Sequence, residues 1–294
     1  MAQARKTTAT KPVQKAVAAR PAQKAVAAAK STALVSNELD AELARDQGAG
    51  FEEAGRDAYA IPFLVALQDM SPQTKAKMAG YVEGAKPGNL FNTATGELMD
   101  DCIIIPCHYA QTFIEWVPRD QGGGFVNAYP PGHAIISTAV RDGSLNVLPN
   151  GNHLSDTRQH YVLIVKEDGT TEGAILAMKS TQLKVSRRWM TQMRSQLVEV
   201  NGRSIPAPMF AFQYRLSTEL EANDKGQWSS FLITDRERVT DVNAYREAKQ
   251  FAALAKSGSQ KVDYNAMNAG GNDSGGNGDD QGPSDADMPN DIDA

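Results

Sequence analysis

The first 35 residues show no apolar period of their own. They carry small apolar side chains among Lys, Arg and Pro, and include the tandem Lys11-Pro-Val-Gln-Lys-Ala-Val-Ala-Ala19 and Arg20-Pro-Ala-Gln-Lys-Ala-Val-Ala-Ala28. Ala and Lys favour helix, but the two prolines interrupt it and nothing large can be buried, which predicts a disordered arm. Leu39 and Leu43 among charges predict a short helix over 36–46, ended by Gly48 and Gly50. Ile61-Pro-Phe-Leu-Val-Ala-Leu67 is an apolar segment expected to dock on a core.

From Cys102 the pattern becomes that of strands. Cys102–Pro106 and Gln111–Val117 read as one long or broken strand, followed by a long loop with Gly122-Gly-Gly124 and Pro130-Pro-Gly132. His160–Val165 and Glu172–Met178 flank Asp168-Gly169, a hairpin signal. Leu183, Met190, Met193 and Leu197 lie near one stripe and predict a helix over 180–198, broken by Asn201-Gly202. Met209–Leu216 and Gln227–Ile233 give two more strands around 223–226. Tyr245, Ala248, Phe251 and Ala252 share a side of a last helix over 241–256 that stops at Gly258. This is the order of an OB-fold, a five-stranded partly open barrel with a helix between strands 3 and 4. The same order also suits other α+β sheets. The expectation is a β-rich α+β chain: an OB-like domain over 36–258 with flanking helices, between a disordered basic arm (1–35) and a disordered acidic tail (259–294).

Composition narrows the function classes. The 294 residues are 41% hydrophobic, enough for one good core. No apolar run approaches the roughly 20 residues of a spanning helix, and no apolar signal stretch opens the sequence, so a cytoplasmic protein without membrane contact is expected. Two cysteines, Cys102 and Cys107, are too few for a disulfide framework. The net charge of −5 conceals a sorting along the chain: residues 1–35 hold seven Lys or Arg and no acid, while residues 263–294 hold eight Asp and no base. The ends are suited to electrostatic work, the arm as a salt-sensitive attraction to phosphate or simply as a solubilising tail.

Aromatic and basic residues are interleaved, the combination that holds single-stranded nucleic acid by stacking and phosphate contact. The candidates are Trp116, Arg119 and Phe125; Lys184, Arg187, Arg188, Trp189 and Arg194; and Tyr214 with Arg215. Phe210, Phe212, Tyr214 and Leu216 share a strand face and equally suit a barrel core. Trp189, beside Arg187 and Arg188, is the better stacking candidate, although a merely solvated helix face has the same pattern. Gly122–Gly124 lacks the Lys-Ser/Thr of a phosphate-binding loop. Cys102, Cys107 and His108 invite zinc, with His133, His153 or His160 as a fourth ligand, but the spacing fits poorly and alternation sends the two thiols to opposite faces. No nucleophile or His-Glu-x-x-His motif occurs, and acid pairs such as Asp100/Asp101 and Glu219/Glu221 lack one, so neither an enzyme nor a metal or other cofactor is expected.

The last residues, Asp285-Ala-Asp287-Met-Pro-Asn-Asp291-Ile-Asp293-Ala294, end a Gly-, Asn- and Ser-rich run. A glycine-rich tether with an acidic, sparsely apolar tip is similar to the tails of bacterial and T7-like phage single-stranded DNA-binding proteins, whose tips recruit replication and repair proteins and compete with DNA. Here no terminal aromatic follows the acids. The resemblance implies partner docking by Asp285, Asp287, Asp291, Ile292 and Asp293, with Met288 as another apolar anchor. The middle of the chain, roughly 55–255, resembles a group of tailed-phage proteins described as DNA-binding or left without an assigned role. It does so through Ile61-Pro-Phe-Leu, Glu83-Gly-Ala-Lys-Pro-Gly-Asn-Leu-Phe-Asn92, Glu115-Trp-Val-Pro-Arg-Asp-Gln-Gly-Gly-Gly124, Ser180-Thr-Gln-Leu-Lys184 with Arg188-Trp189, and Asn223-Asp-Lys-Gly-Gln-Trp228. Together these imply a sequence-independent single-stranded DNA-binding protein of phage replication or recombination. It would work in the host-cell cytoplasm, with phage replication proteins as partners and self-association compatible. The alternative is a virion or assembly protein whose tails contact DNA or other subunits.

Overall fold

The computed structural model describes residues 38–46, 49–50, 52, 60–223, 226–258 and 261–268. The chain divides into two units, Met1–Ala54 and Gly55–Ala294. In the first, residues 38–45 form an exposed helix, α1. The second holds every other described element. It begins later than the domain start expected at residue 36.

The second unit opens with β1 (Ala60–Ile61), β2 (Leu64–Ala66), β3 (Leu90–Asn92) and β4 (Leu98–Met99), of which β2, β3 and β4 form a small antiparallel sheet. Then comes β5 (Cys102–Trp116), 15 residues without a break. The following loop, expected to be irregular, contains β6 (Phe125–Tyr129), β7 (Val140–Asp142) and β8 (Leu145–Val147). The hairpin of β9 (His153–Val165) and β10 (Thr171–Lys179) turns where expected: Lys166 N–H donates to Thr170 C=O at 2.9 Å, and Gly169 takes φ 84°. Helix α2 (Leu183–Arg194) is shorter than its predicted span. Leu197 and Val198, expected in the helix, belong instead to a hairpin of β11 (Leu197–Val200) and β12 (Arg203–Pro206). Asn201-Gly202, read from sequence as a helix breaker, is its turn. Met209–Ala211, expected to open a strand, is a 3-10 turn, and Phe210 packs with Ile105 and Cys107 instead of sharing a face with Tyr214. β13 (Phe212–Asn223) starts after it and, like β14 (Gly226–Arg238), runs on past the predicted end, α3 (Val242–Ser257) ends at Gly258 in the left-handed region, and β15 (Lys261–Val262) and α4 (Tyr264–Met267) follow.

β15 pairs parallel with β1, and Met267 is buried, so the folded unit continues past Gly258, where sequence reasoning placed the start of the tail. The remaining tail and the arm 1–35 lie outside the described residues, as do the tail-tip residues Asp285, Asp287, Asp291, Ile292 and Asp293.

Five strands of the main sheet run in the order β14-β13-β5-β9-β10, with α2 between β10 and β13. The order of strands and helix along the chain is the expected one, but the sheet does not close into the barrel that an OB-fold would form: among the described residues β10 is not paired with β14. Residues 61–68 bind to both strands instead. On one side Phe63 bridges Ile175 of β10, whose N–H donates to Pro62 C=O at 2.9 Å. On the other, the Gln68 carboxamide pairs with the backbone of Ser229 in β14, accepting from its N–H at 2.8 Å and donating to its C=O at 2.9 Å. The predicted docking segment is therefore built into the wall, and both its faces are covered. Leu64 and Ala66 join Ile104, Val162, Leu176, Trp189 and Leu216 in the central core, whereas Phe63, Val65 and Leu67 pack with Ile114, Trp116 and Tyr161.

Helix α3 covers the outside of β5 and β9 through Ala244 and Ala248, packed on Ile105, Cys107 and Leu163. The Phe251 ring comes so close to Gly173 of β10 that a Cβ there would lie 2.9 Å from it.

Two substitutions test this wall. Gln68→Leu keeps the bulk but strands the Ser229 N–H and C=O, and is expected to cost about 1–3 kcal/mol for each buried group left unpaired. Gly173→Ala should cost about 1–3 kcal/mol, because Phe251 has to shift. Urea midpoints measure both, and an unchanged midpoint for Gln68→Leu would show that the segment is not clamped.

Candidate nucleic-acid interface

Helix α2 alternates its residues between two environments. Val185, Ser186, Trp189 and Met193 are buried. Lys184, Arg187, Arg188 and Arg194 are exposed, and the helix contains no acid. Lys184 pairs with Glu221 of β13. The four candidate cations of this helix therefore share a face, opposite the buried one.

The aromatic candidates fare differently. Trp189 is 2% exposed, with its ring 4.8 Å from that of His160 and 5.6 Å from that of Tyr214, itself 1% exposed. Trp116 is 3% exposed, edge-on to Phe125 at 6.0 Å, and Lys179 Nζ lies 6.0 Å above its ring. Trp116, Trp189 and Tyr214 are core residues and offer no face to a base; a tryptophan that follows two arginines on an amphipathic helix points inward because it is the largest apolar group available. Phe125 is partly exposed, but its ring stacks on Tyr264 of α4 at 4.8 Å and 17°. Arg119 is exposed in a short 3-10 turn (119–121), far along the sequence from α2. Arg215 is held in β13 between Asp101 and Asp235.

The structure reveals a second set of residues. β5 and β9 are paired from Ile103/Val165 to Trp116/His153, which places Tyr109 opposite His160, Gln111 opposite Arg158 and Phe113 opposite Asp156, all on one face. Tyr129 of β6 lies opposite Phe113. Tyr109, Phe113, Tyr129 and Arg158 are partly exposed. This strip adjoins α2 through one shared neighbour, because His160 touches Trp189 on one side and Tyr109, at 5.2 Å, on the other. Arg158 is aimed by two bonds to Asp156, at 2.8 and 3.1 Å, and donates to Tyr109 Oη at 2.9 Å. Burial works against its charge, but these bonds hold its pKa above the ordinary arginine value. Phe113 was visible as an aromatic in a strand; Tyr109, Tyr129 and Arg158 come together only through strand register, which their sequence positions do not disclose.

Glu115 fixes the far end of the strip. The residue is buried, and its carboxylate accepts from Tyr129 Oη at 2.6 Å, Asn150 Nδ2 at 2.9 Å and Asn152 Nδ2. Burial raises its pKa, but the three hydrogen bonds outweigh that and keep it below the usual glutamate value. A charged acceptor with three donors ties the 117–152 excursion back to β5.

Cys102 and Cys107 belong to different core clusters, and burial pushes both thiols up to about 12. Among the described residues no group of three or more His, Cys, Asp or Glu could hold a metal ion, and no helix is long and apolar enough to cross a membrane.

The family described as Pam3 phage gp34-like protein matches residues 29–261, well over half of the chain. The chain belongs to this family of phage proteins. The match takes in α2, the β5–β9 strip and the whole main sheet. No curated protein and no solved structure matches the chain.

His160 supplies a pH test of the family member's core beneath α2. Its Nε2 meets Ser186 Oγ at 2.8 Å, and burial, followed by the Arg158 charge, pushes its pKa down from 6.5 to about 3. The unfolded chain therefore takes up a proton below about 6.5 that the folded chain refuses until about 3. This contribution to stability is fully present above 6.5 and is lost as pH falls through that window, by up to ~1.4 kcal/mol per pH unit. Denaturation measured across the window should show that slope, and His160→Gln should flatten it.

Proposed function

We propose that this phage protein holds single-stranded DNA without base preference, along the outer face of α2 and the adjoining strip of Tyr109, Phe113, Tyr129 and Arg158. The observation that carries this reading is the outward face of α2, with four cations and no acid in the helix, set next to partly exposed rings. Cations follow a phosphate backbone, and flat rings accept any base. The role is binding, with no chemical step assigned to any residue. In a phage, strands with unpaired bases arise in replication and recombination. The basic arm would add non-specific attraction to phosphate, and the acidic tail would recruit replication proteins and compete for the same cations.

Counterion release provides the test. Replacing Arg187, Arg188 and Arg194 by Ala should lower the slope of log affinity against log salt by about 2 for single strands. The melting temperature should stay nearly unchanged, because all three side chains are exposed. Tyr109→Ala should cost about 1–3 kcal/mol of single-strand binding. Fluorescence anisotropy with single- and double-stranded oligonucleotides at several salt concentrations measures both effects. An undiminished slope in the triple variant would remove α2 from the interface.

A truncation after Asn268 keeps α4 and removes seven Asp. Competition in cis predicts a gain in DNA affinity, largest at low salt where screening is weakest. Equal affinity of the two chains across all salt concentrations would rule that competition out.

A further inference from the structure

The β11–β12 hairpin directly follows α2, and its two strands pair only with each other among the described residues. Leu197, Val200 and Ile205 are 59%, 42% and 42% exposed. An isolated two-stranded ribbon is marginal in water, so its direction has to be set at its base and tip. At the base, Ala207 N–H donates to Gln196 C=O at 2.9 Å, Gln196 Nε2 donates to Gln192 C=O at 2.7 Å in the last turn of α2, and Arg236 donates to Gln196 Oε1. At the tip, Asn201 and Gly202 take φ 52° and 73°, the double left-handed geometry of a tight type I′ turn.

Register sorts the side chains. Val198 stands opposite Ile205 and Val200 opposite Arg203 on one face, while Leu197/Pro206 and Glu199/Ser204 share the other. The first face thus carries three β-branched aliphatic groups and one cation, with no acid, and Arg194 closes α2 just before it. Together with α2 this makes a continuous run, 183–206, whose one acid, Glu199, lies on the opposite face.

We infer that the Val198/Val200/Ile205 face is a wing that lies against unpaired bases of a strand whose phosphates are held by α2. This rests on the single-strand-binding reading above and extends it to a second contact. A cation-flanked apolar face suits a polyanion with apolar surfaces of its own. Single-stranded nucleic acid meets that description, whereas a duplex keeps its base faces stacked inside. Aliphatic side chains cannot hydrogen-bond base edges, so the contact is blind to sequence. It also releases no counterions, so it adds affinity without adding salt dependence.

Two variants of the full chain test this. In the first, residues 197–206 are replaced by Gly-Gly between Gln196 and Ala207, whose backbones already meet. The second, Val200→Ser with Ile205→Ser, alters only exposed positions and covers the case in which excision unfolds the protein. The probes are an oligothymidylate and a duplex of equal length, at low and high salt, with the melting temperature followed in parallel. The expected result for the double variant is a melting temperature like that of the wild type and about tenfold weaker oligothymidylate binding at both salts. Its salt slope and duplex binding should be unchanged.

Wild-type affinity in both variants would overturn the wing while leaving the α2 interface intact. A wild-type chain that binds neither probe would overturn both readings. A loss equal on duplex and single strand, or one expressed only as a flatter salt slope, would also overturn base contact.

Discussion

The antiparallel pairing of β5 with β9, from Ile103/Val165 to Trp116/His153, is the constraint on which the other elements depend. At the end near Ile104 and Ile164 the ribbon is apolar on both faces, covered by the central core on one and by α3 on the other. Past His160 its exposed face turns polar and aromatic, and β6 and the 117–152 excursion attach there. A single strand pair thus supplies a scaffold at one end and a presenting surface at the other. A register slip by one residue would exchange the two faces. The bulge at Cys107, between the pairs Pro106/Val162 and His108/Tyr161, marks the transition between the two ends.

Helix α2 shows why aromatic residues mislead when read from sequence alone. Trp189 sits between Arg188 and Met190 in a segment rich in cations, which is also what a stacking platform looks like. In an amphipathic helix, however, the cations and the large ring divide between opposite faces, because burying the indole gains apolar contact while burying a guanidinium costs solvation. Of the stripe expected from the helical period, Met193 is buried, Leu183 and Met190 are only partly so, and Leu197 is exposed in β11; the buried face is instead centred on Trp189, opposite the cations, which disqualifies the most prominent aromatic. Tyr214 follows the same logic on a strand, with alternation turning it inward beside Leu216 while Arg215 turns out to meet Asp101 and Asp235.

What was legible followed from local rules. The β9–β10 hairpin, the stop of α3 at Gly258 and the five-strand order with an intervening helix rest on turn chemistry and short-range period. What was hidden depended on contacts distant in sequence. Gln68 and Ser229 are 161 residues apart, and nothing local marks a glutamine side chain as a substitute for a strand partner. Tyr109, Tyr129 and Arg158 become neighbours only when register is fixed. Met267 and Tyr264 pack onto the fold from beyond a glycine that looks like a terminus, since four residues of helix and two of strand are too short to leave a periodic signal.

The replacement of direct β10–β14 closure by residues 61–68 has a chemical consequence. A strand edge closed by another strand is sealed by repeated backbone bonds, whereas here one bridge at Phe63 and one carboxamide at Gln68 do that work, with Leu64 and Ala66 filling the space between. Side-chain closure is specific to one residue type: asparagine is a methylene too short, and glutamate could accept from the Ser229 N–H but not donate to its C=O. The wall therefore depends on apolar packing along its length and on a carboxamide at one end. Its integrity is separable from the cations of α2, because the bonds at Phe63 and Gln68 are made to β10 and β14 without them.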